Sequence, residues 1–506
     1  MQVFPVQVSP VQLSPVQVPV QGEPAQVSLL INGDATGARD GLTFKRHSPL
    51  DGSIASLAPA ASVQDAVAAV QAASAAFPSW SATGPGERRQ LLMRAAEAIQ
   101  ARAQSFADIM ALETGASAGW ARFNVQLAVS VLLEAAALTT QVSGEVIPSD
   151  VPGNLALAVR QPAGVVLGIA AWNAPVILAV RAIATPLACG NTVVLKGSGL
   201  CPATHGLVMH TLQAVGFPRG VLNFITNAPA DAATVVEAMV AHPSVRRVSF
   251  MGSTQVGRRI ASACANHLKP VVLELGGKAP FVVLDDADLD AAARAAVFGA
   301  FANSGQTCMA TERIIVDRTV ADAFVQKLAD RAAGLPLGDP REAAVALGAV
   351  VDMNAVKLCN ALIDDALAQG GRLVAGGKSN TTLMPATLID HVTPSMRLYR
   401  EEAFGPVTGI VRVSGVEEAV ACANDNEYGL ASAVFGRDVG RAIAVARRIE
   451  SGICHVNGAT VHDEAQMPFG GMKESGMGRF GGKAGIDAFT DLRWLTVQTT
   501  PRDYAF

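Results

Sequence analysis

At 506 residues, half of them apolar and 16% charged, the chain is too long for one hydrophobic core and implies two or three domains. Its net charge of −4, with no run of Lys or Arg, favours neither nucleic acid nor an anionic membrane as partner. The seven cysteines form no Cys-x-x-Cys pair and the eight histidines no zinc spacing, so they read as isolated thiols in a reducing, cytoplasmic setting with no metal site.

In chain order, residues 1–28 carry a recurring Pro-Val-Gln tract (Pro5, Pro10, Pro15, Pro19) without the basic segment of a signal peptide. They are expected to be a low-complexity leader, or the product of a start codon assigned too early. Folded sequence is expected from Leu29, helical as far as Thr140. Ser62 and Asp65 are spaced as a capping box for a helix that Pro78 should stop, and a second helix should run from Glu87 to Phe106.

Short apolar runs then alternate with helical spacing. Strands are predicted at Val165–Ala170, Thr192–Leu195, Val221–Phe224, Val248–Phe250 and Val271–Leu273. Helices are predicted around Val176–Leu187, Thr204–Val215, Asp231–Val240 and Gln255–His267. Such alternation makes a right-handed parallel sheet. The apolar stretch Gly164–Gly190 includes Asn173, Pro175 and Arg181, so no uninterrupted run reaches the ~18–20 residues of a membrane span. A second α/β pattern runs from Ala279 to about Ser475. Gly144–Pro162 reads as a hairpin without a partner in its own subunit, a common device for oligomers, and Arg493–Thr499 as a distant last strand.

Three places carry chemistry. In Phe301-Ala-Asn-Ser-Gly-Gln-Thr-Cys308 a helix ends and a turn presents one cysteine before a strand at Glu312–Val316, a position suited to nucleophilic attack. In Leu273-Glu-Leu-Gly-Gly-Lys278 a glutamate closes an apolar strand. It is either a partner for a nearby Lys or Arg, or a general base with room to move beside two glycines. In Ala171-Trp-Asn-Ala-Pro175 the Asn amide is either turn chemistry or a neutral donor to an oxyanion.

Taken together, in this order and at these separations, the three motifs resemble the aldehyde dehydrogenase superfamily from about Leu29 to the C-terminus. Phe250–Gly257, Glu401–Pro406 and Pro468–Arg479 support the resemblance, and chance agreement across six blocks is negligible. It implies an α/β fold of two Rossmann-like domains with parallel sheets and a small oligomerisation hairpin. The cofactor-binding domain would be 29–140 with 163–275, the catalytic domain 276–475, and the oligomerisation elements 141–162 with 488–502, in a homodimer or homotetramer.

The resemblance also implies oxidation of an aldehyde through a thioester on Cys308, with Asn173 holding the oxyanion and Glu274 activating the hydrolytic water. NAD would be held by Trp172, Lys196, Gly252, Ser253, Gly257, Leu275, Glu402 and Phe404. Gly199 stands where the family commonly has a glutamate that binds the adenosine ribose, so NADP acceptance is expected as well. Around Gly119–Val125, Arg181 and Asn457–Phe469 the chain resembles the salicylaldehyde and vanillin dehydrogenase branch. An aromatic aldehyde is the expected substrate, with Arg181 either facing it or serving as a surface or interface arginine. A broad or aliphatic specificity, and a non-catalytic binding protein on the same fold, are the alternatives.

Overall fold

The computed structural model describes residues 23–506; the Pro-Val-Gln tract lies outside them. The expected parallel ladder is present. Val165–Ile169, Thr192–Lys196 and Leu222–Ile225 pair in parallel on one side, and Val245–Met251 with Val271–Glu274 on the other. Val165–Ile169 is buried at every position, as a strand covered by helices on both faces must be. Antiparallel strands at both ends, Gly476–Met477 and Leu29–Ile31 with Asp34–Thr36, widen the sheet to eight.

Strand order reverses between Val165–Ile169 and Val245–Met251. Ligands bind beyond the carboxyl ends of strands at such a switch point. A second sheet of seven strands is centred on Ala279–Val283 and Thr311–Asp317. Only four residues separate Glu274 from Ala279, so the chain passes straight from an inner strand of one sheet into the middle of the other. The candidate residues Asn173, Glu274 and Cys308 converge on this crossing.

The N-terminal expectations need correction. Ordered chain begins before Leu29, with Ala25–Gln26 pairing to Ser56–Leu57, and strands Thr43–His47 and Ile54–Pro59 precede the first helix. The Ser62–Asp65 capping box is formed, but its helix runs through Pro78 to Ala82. Buried Trp80, packed 5.8 Å from the Phe217 ring, anchors the last turn, so tertiary packing outweighs the missing proline donor. The second helix is two, Pro85–Ala101 and Ala103–Thr114, broken where Arg102 leaves helical geometry.

Glu113, near the end of the latter, is fully buried and accepts the Ala203 and Thr204 N–H groups, both at 2.9 Å. It thereby supplies the side-chain cap that the helix Pro202–Ala214 lacks at its own N-cap.

The hairpin also differs from expectation. Asn154–Pro162 pairs with Glu145–Ile147 on one edge and, residue for residue, with Thr490–Gln498 on the other. Its partner is therefore in its own subunit, more than 300 residues away in sequence. Val146, Leu492, Trp494 and Val497 on this small sheet remain exposed.

The apolar segment Gly164–Gly190 is a strand, a turn and the buried helix Pro175–Ala188, as expected. Among the described residues one helix, Ala118–Leu138, is long and apolar enough to cross a membrane. It packs against Pro85–Ala101 and Pro175–Ala188 inside the fold.

Candidate active site

The turn before Cys308 is strained. Asn303, Ser304 and Gly305 take successive left-handed conformations, with φ of 52°, 54° and 73°. For the two non-glycine residues this costs about 1–2 kcal/mol each. Specific bonds offset the cost. The Asn303 amide donates to the carbonyls of Asn173 (3.0 Å) and Gln306 (3.3 Å), and Ser304 Oγ to Gly348 O (3.0 Å).

Gln306 is anchored in turn through Ala349 O and the Val351 N–H. The cysteine that follows is therefore presented on an over-determined loop, as functional strain requires. The Asn-Ser-Gly sequence, all turn residues, was the available signal for it.

Asn173 is buried in the turn after Val165–Ile169. Its amide donates to Gln306 O at 3.1 Å, and its carbonyl accepts from Trp120 Nε1 at 2.9 Å. The first sheet's switch-point turn is thus tied directly to the cysteine loop of the second domain. Trp172 meets Phe404 edge-on, with ring centroids 5.7 Å apart.

Glu274 ends its strand buried, with no lysine or arginine bound to it and Oε1 without a hydrogen-bond partner. Burial pushes its carboxyl up to about 7, against the lowering influence of the nearby Cys308 thiol and of the Arg181 charge. The same proximity acts on the cysteine. Burial first, then the charge of Glu274, holds the thiol well above its usual value, and Arg181 opposes this. Of the remaining six cysteines, five are buried and Cys454 is half-buried.

The alternative of a glutamate paired with a lysine is realised by a different residue. Lys278 Nζ pairs with Glu312 at 2.6 Å, both fully buried, and also donates to Glu401 O at 2.6 Å. The Glu312 carboxylate accepts the Ala403 and Phe404 N–H groups. This pair holds the Glu401–Phe404 segment, including Phe404 at a positive φ of 44°.

The two glycines serve close approach more than free movement. A Cβ on Gly277 would stand 2.3 Å from Cys308 O, and one on Gly276 2.6 Å from the Glu402 carboxylate. Glu402 accepts the Gly277 N–H at 2.8 Å, and burial raises its carboxyl to about 8.

On the far side of the crossing, Ser253 caps the helix Thr254–Asn266, whose first turn opens at the sheet's carboxyl edge. Gly257 lets that helix settle on Leu275, where a Cβ would come within 2.4 Å of the leucine. Lys196, at the end of Thr192–Lys196, two strands along the same sheet, has no ion-pair partner among the described residues, and burial lowers its ammonium to about 8. An exposed helix N-terminus and an unpaired cation at the carboxyl ends of one sheet are suited to a diphosphate and ribose. The residues fit a dinucleotide.

Arg181 departs from one of the two expectations for it. It is 5% exposed, so neither a surface nor an interface side chain. Its guanidinium pairs with buried Asp463 at 2.6 Å and lies 4.4 Å from the Phe469 ring centroid. Asp463, in the C-terminal block 457–469, was not singled out from sequence. Its partner is 282 residues away, and nothing local marks the pair.

The aldehyde dehydrogenase family model matches residues 37–495, nearly the whole chain. The chain belongs to the aldehyde dehydrogenase family. This aldehyde dehydrogenase is 59% identical over 478 residues to a vanillin dehydrogenase of Pseudomonas fluorescens, covering 94% of this chain and 99% of the relative. It is 47% identical over 482 residues to a salicylaldehyde dehydrogenase of Pseudomonas putida, covering 95% and 100%. The crystal structure of a salicylaldehyde dehydrogenase from Pseudomonas putida G7, complexed with salicylaldehyde, superposes with a TM-score of 0.94 at 46% identity, over 95% of this chain and 100% of that one.

Proposed function

We propose that this aldehyde dehydrogenase oxidises an aromatic aldehyde to its carboxylate with NAD(P), through a thioester on Cys308. The observation that carries the proposal is the facing pair Cys308 and Glu274 beside the Asn173 amide, at the crossing between the two sheets. The vanillin and salicylaldehyde dehydrogenases among its relatives support the aromatic substrate.

In this reading Cys308, once deprotonated, bonds through sulfur to the aldehyde carbon. The Asn173 amide and the Cys308 N–H receive the oxyanion. Bound NAD(P) supplies the hydride acceptor. Lys196, Ser253 and the first turn of Thr254–Asn266 would hold its ribose and diphosphate. Trp172, Leu275, Glu402 and Phe404 would flank the nicotinamide end. Glu274, ionised, then takes a proton from water whose oxygen attacks the thioester carbon, and the sulfur leaves as the carboxylic acid is released.

The assignment of 29–140 with 163–275 to cofactor and 276–475 to catalysis follows from these roles. The exposed apolar residues of the three-stranded sheet, Trp494 foremost, would join copies of the chain into a homodimer or homotetramer.

The test is a panel of aromatic and aliphatic aldehydes with NAD and NADP, following reduced cofactor and identifying the product, for the parent and Cys308→Ala. Oxidation of aromatic aldehydes to acids by the parent and none by the variant is expected. Undiminished turnover by Cys308→Ala, or a preference confined to aliphatic aldehydes, overturns the reading.

A further inference from the structure

We infer that Asp463 is a specificity-determining residue whose Oδ1 accepts a hydrogen bond from a hydroxyl group on the substrate's aromatic ring. The inference rests on the aromatic-aldehyde reading above and adds to it the feature of the ring that is recognised.

Asp463 is a buried carboxylate with its two oxygens in different situations. Oδ2 is held by Arg181 Nη2 at 2.6 Å, and both side chains are about nineteen parts in twenty buried, at 5% and 6% exposed. Oδ1 is buried without any hydrogen-bond partner. A buried carboxylate oxygen left without a donor is costly, and each such atom in a native fold calls for an explanation.

The geometry around it points to a ligand. Arg181 lies on the helix that begins directly after the Asn173 turn, eight residues on. Both charges register at the catalytic carboxyl: Arg181 lowers the Glu274 proton affinity and Asp463 raises it. The ion pair therefore stands within Coulombic range of the position the aldehyde carbon would occupy.

Arg181 itself lies over the Phe469 ring, so the group that holds Oδ2 is in place before substrate arrives. A pre-oriented acceptor beside an aromatic ring surface suits an aryl group bearing a hydroxyl donor. An unsubstituted ring offers it nothing, and a fluorine of similar reach offers only electron pairs, which the carboxylate repels. A site built to bond a hydroxyl discriminates strongly against the analogue lacking it, because its own buried group is then left unpaired.

The measurement is kcat/KM for the three hydroxybenzaldehyde isomers, the three fluorobenzaldehydes and benzaldehyde, for the parent and for Asp463→Asn. Asparagine can turn its oxygen to Arg181, and it then presents N–H in place of Oδ1. The parent is expected to favour at least one hydroxy isomer over both its fluoro counterpart and benzaldehyde by about tenfold to a hundredfold. Asp463→Asn should collapse that ratio to within about twofold of unity.

If Asp463 only neutralised Arg181, the variant would slow every substrate alike and leave the ratio intact; that result overturns the inference. Should the variant not fold, the parent series decides, because the absence of any preference for a hydroxy isomer also overturns it. Failure to oxidise any aromatic aldehyde removes the aromatic reading and this inference together, whereas oxidation of all seven at similar rates removes this inference alone.

Discussion

Replacing Glu274 with Gln separates the two halves of the catalytic cycle. The carboxyl is raised to about 7 by burial, so it is protonated and idle as a base below that pH and ionised above it. At pH 6, 7 and 8 the ionised fraction is about 0.09, 0.5 and 0.91, from the ordinary titration relation. Where thioester hydrolysis limits turnover, the parent's steady-state rate should rise about fivefold from pH 6 to 7 and less than twofold from 7 to 8.

Glu274→Gln removes the base, which is worth about 10²–10⁴ in rate, and with it this pH step. Formation of the thioester should survive. After burial, the Glu274 charge raises the Cys308 thiol, so a neutral amide there eases deprotonation of the nucleophile. Stopped-flow measurement of reduced cofactor should show a burst near one equivalent per site, followed by a steady state slowed at least a hundredfold. A variant that loses the burst and the steady state in equal proportion would refute this division of labour, as would a parent profile flat between pH 6 and 7.

Asn173→Ala should slow the burst itself, by about 10²–10³ for one lost oxyanion donor. An unchanged single-turnover rate would count against its role. At position 199 a Cβ would meet only Pro229 and Phe44, at 3.6 and 3.8 Å, so Gly199→Glu is accommodated. Its carboxylate near the adenosine ribose should lower kcat/KM for NADP relative to NAD about tenfold, and an unmoved ratio would place cofactor choice elsewhere. Lys278→Met leaves Glu312 as a buried, uncompensated charge, costing about 3–5 kcal/mol. Chemical denaturation should show that loss, and a midpoint equal to the parent's would contradict the ion pair's structural role.

The parallel ladder was legible because buried strands write themselves as short runs of Val, Ile and Leu between glycine and proline punctuation, and each predicted strand overlaps an observed one. Cys308, Glu274 and Asn173 were legible as motifs, and the fold brings all three to one crossing. What was not legible depends on distant partners. Pro78 reads locally as a stop, yet Trp80 packing on Phe217 carries the helix past it. The hairpin 144–162 shows no partner within reach in sequence, because its partner is the C-terminal strand. Arg181 was visible as an odd charge in an apolar helix, but its environment depends on Asp463 and Phe469, far along the chain. Likewise, Glu274 and Glu312 both resemble strand-end glutamates, and only the packing reveals which of them Lys278 neutralises.

The central claim, a covalent thioester on Cys308, is tested most directly by mass spectrometry of Glu274→Gln. The variant is mixed with aldehyde and NAD, quenched in acid at the end of the burst, and digested. One acyl group on the peptide containing Cys308, in an amount equal to the burst, is the result this account predicts. A full burst with that peptide unmodified, or with the acyl group on another residue, would contradict it.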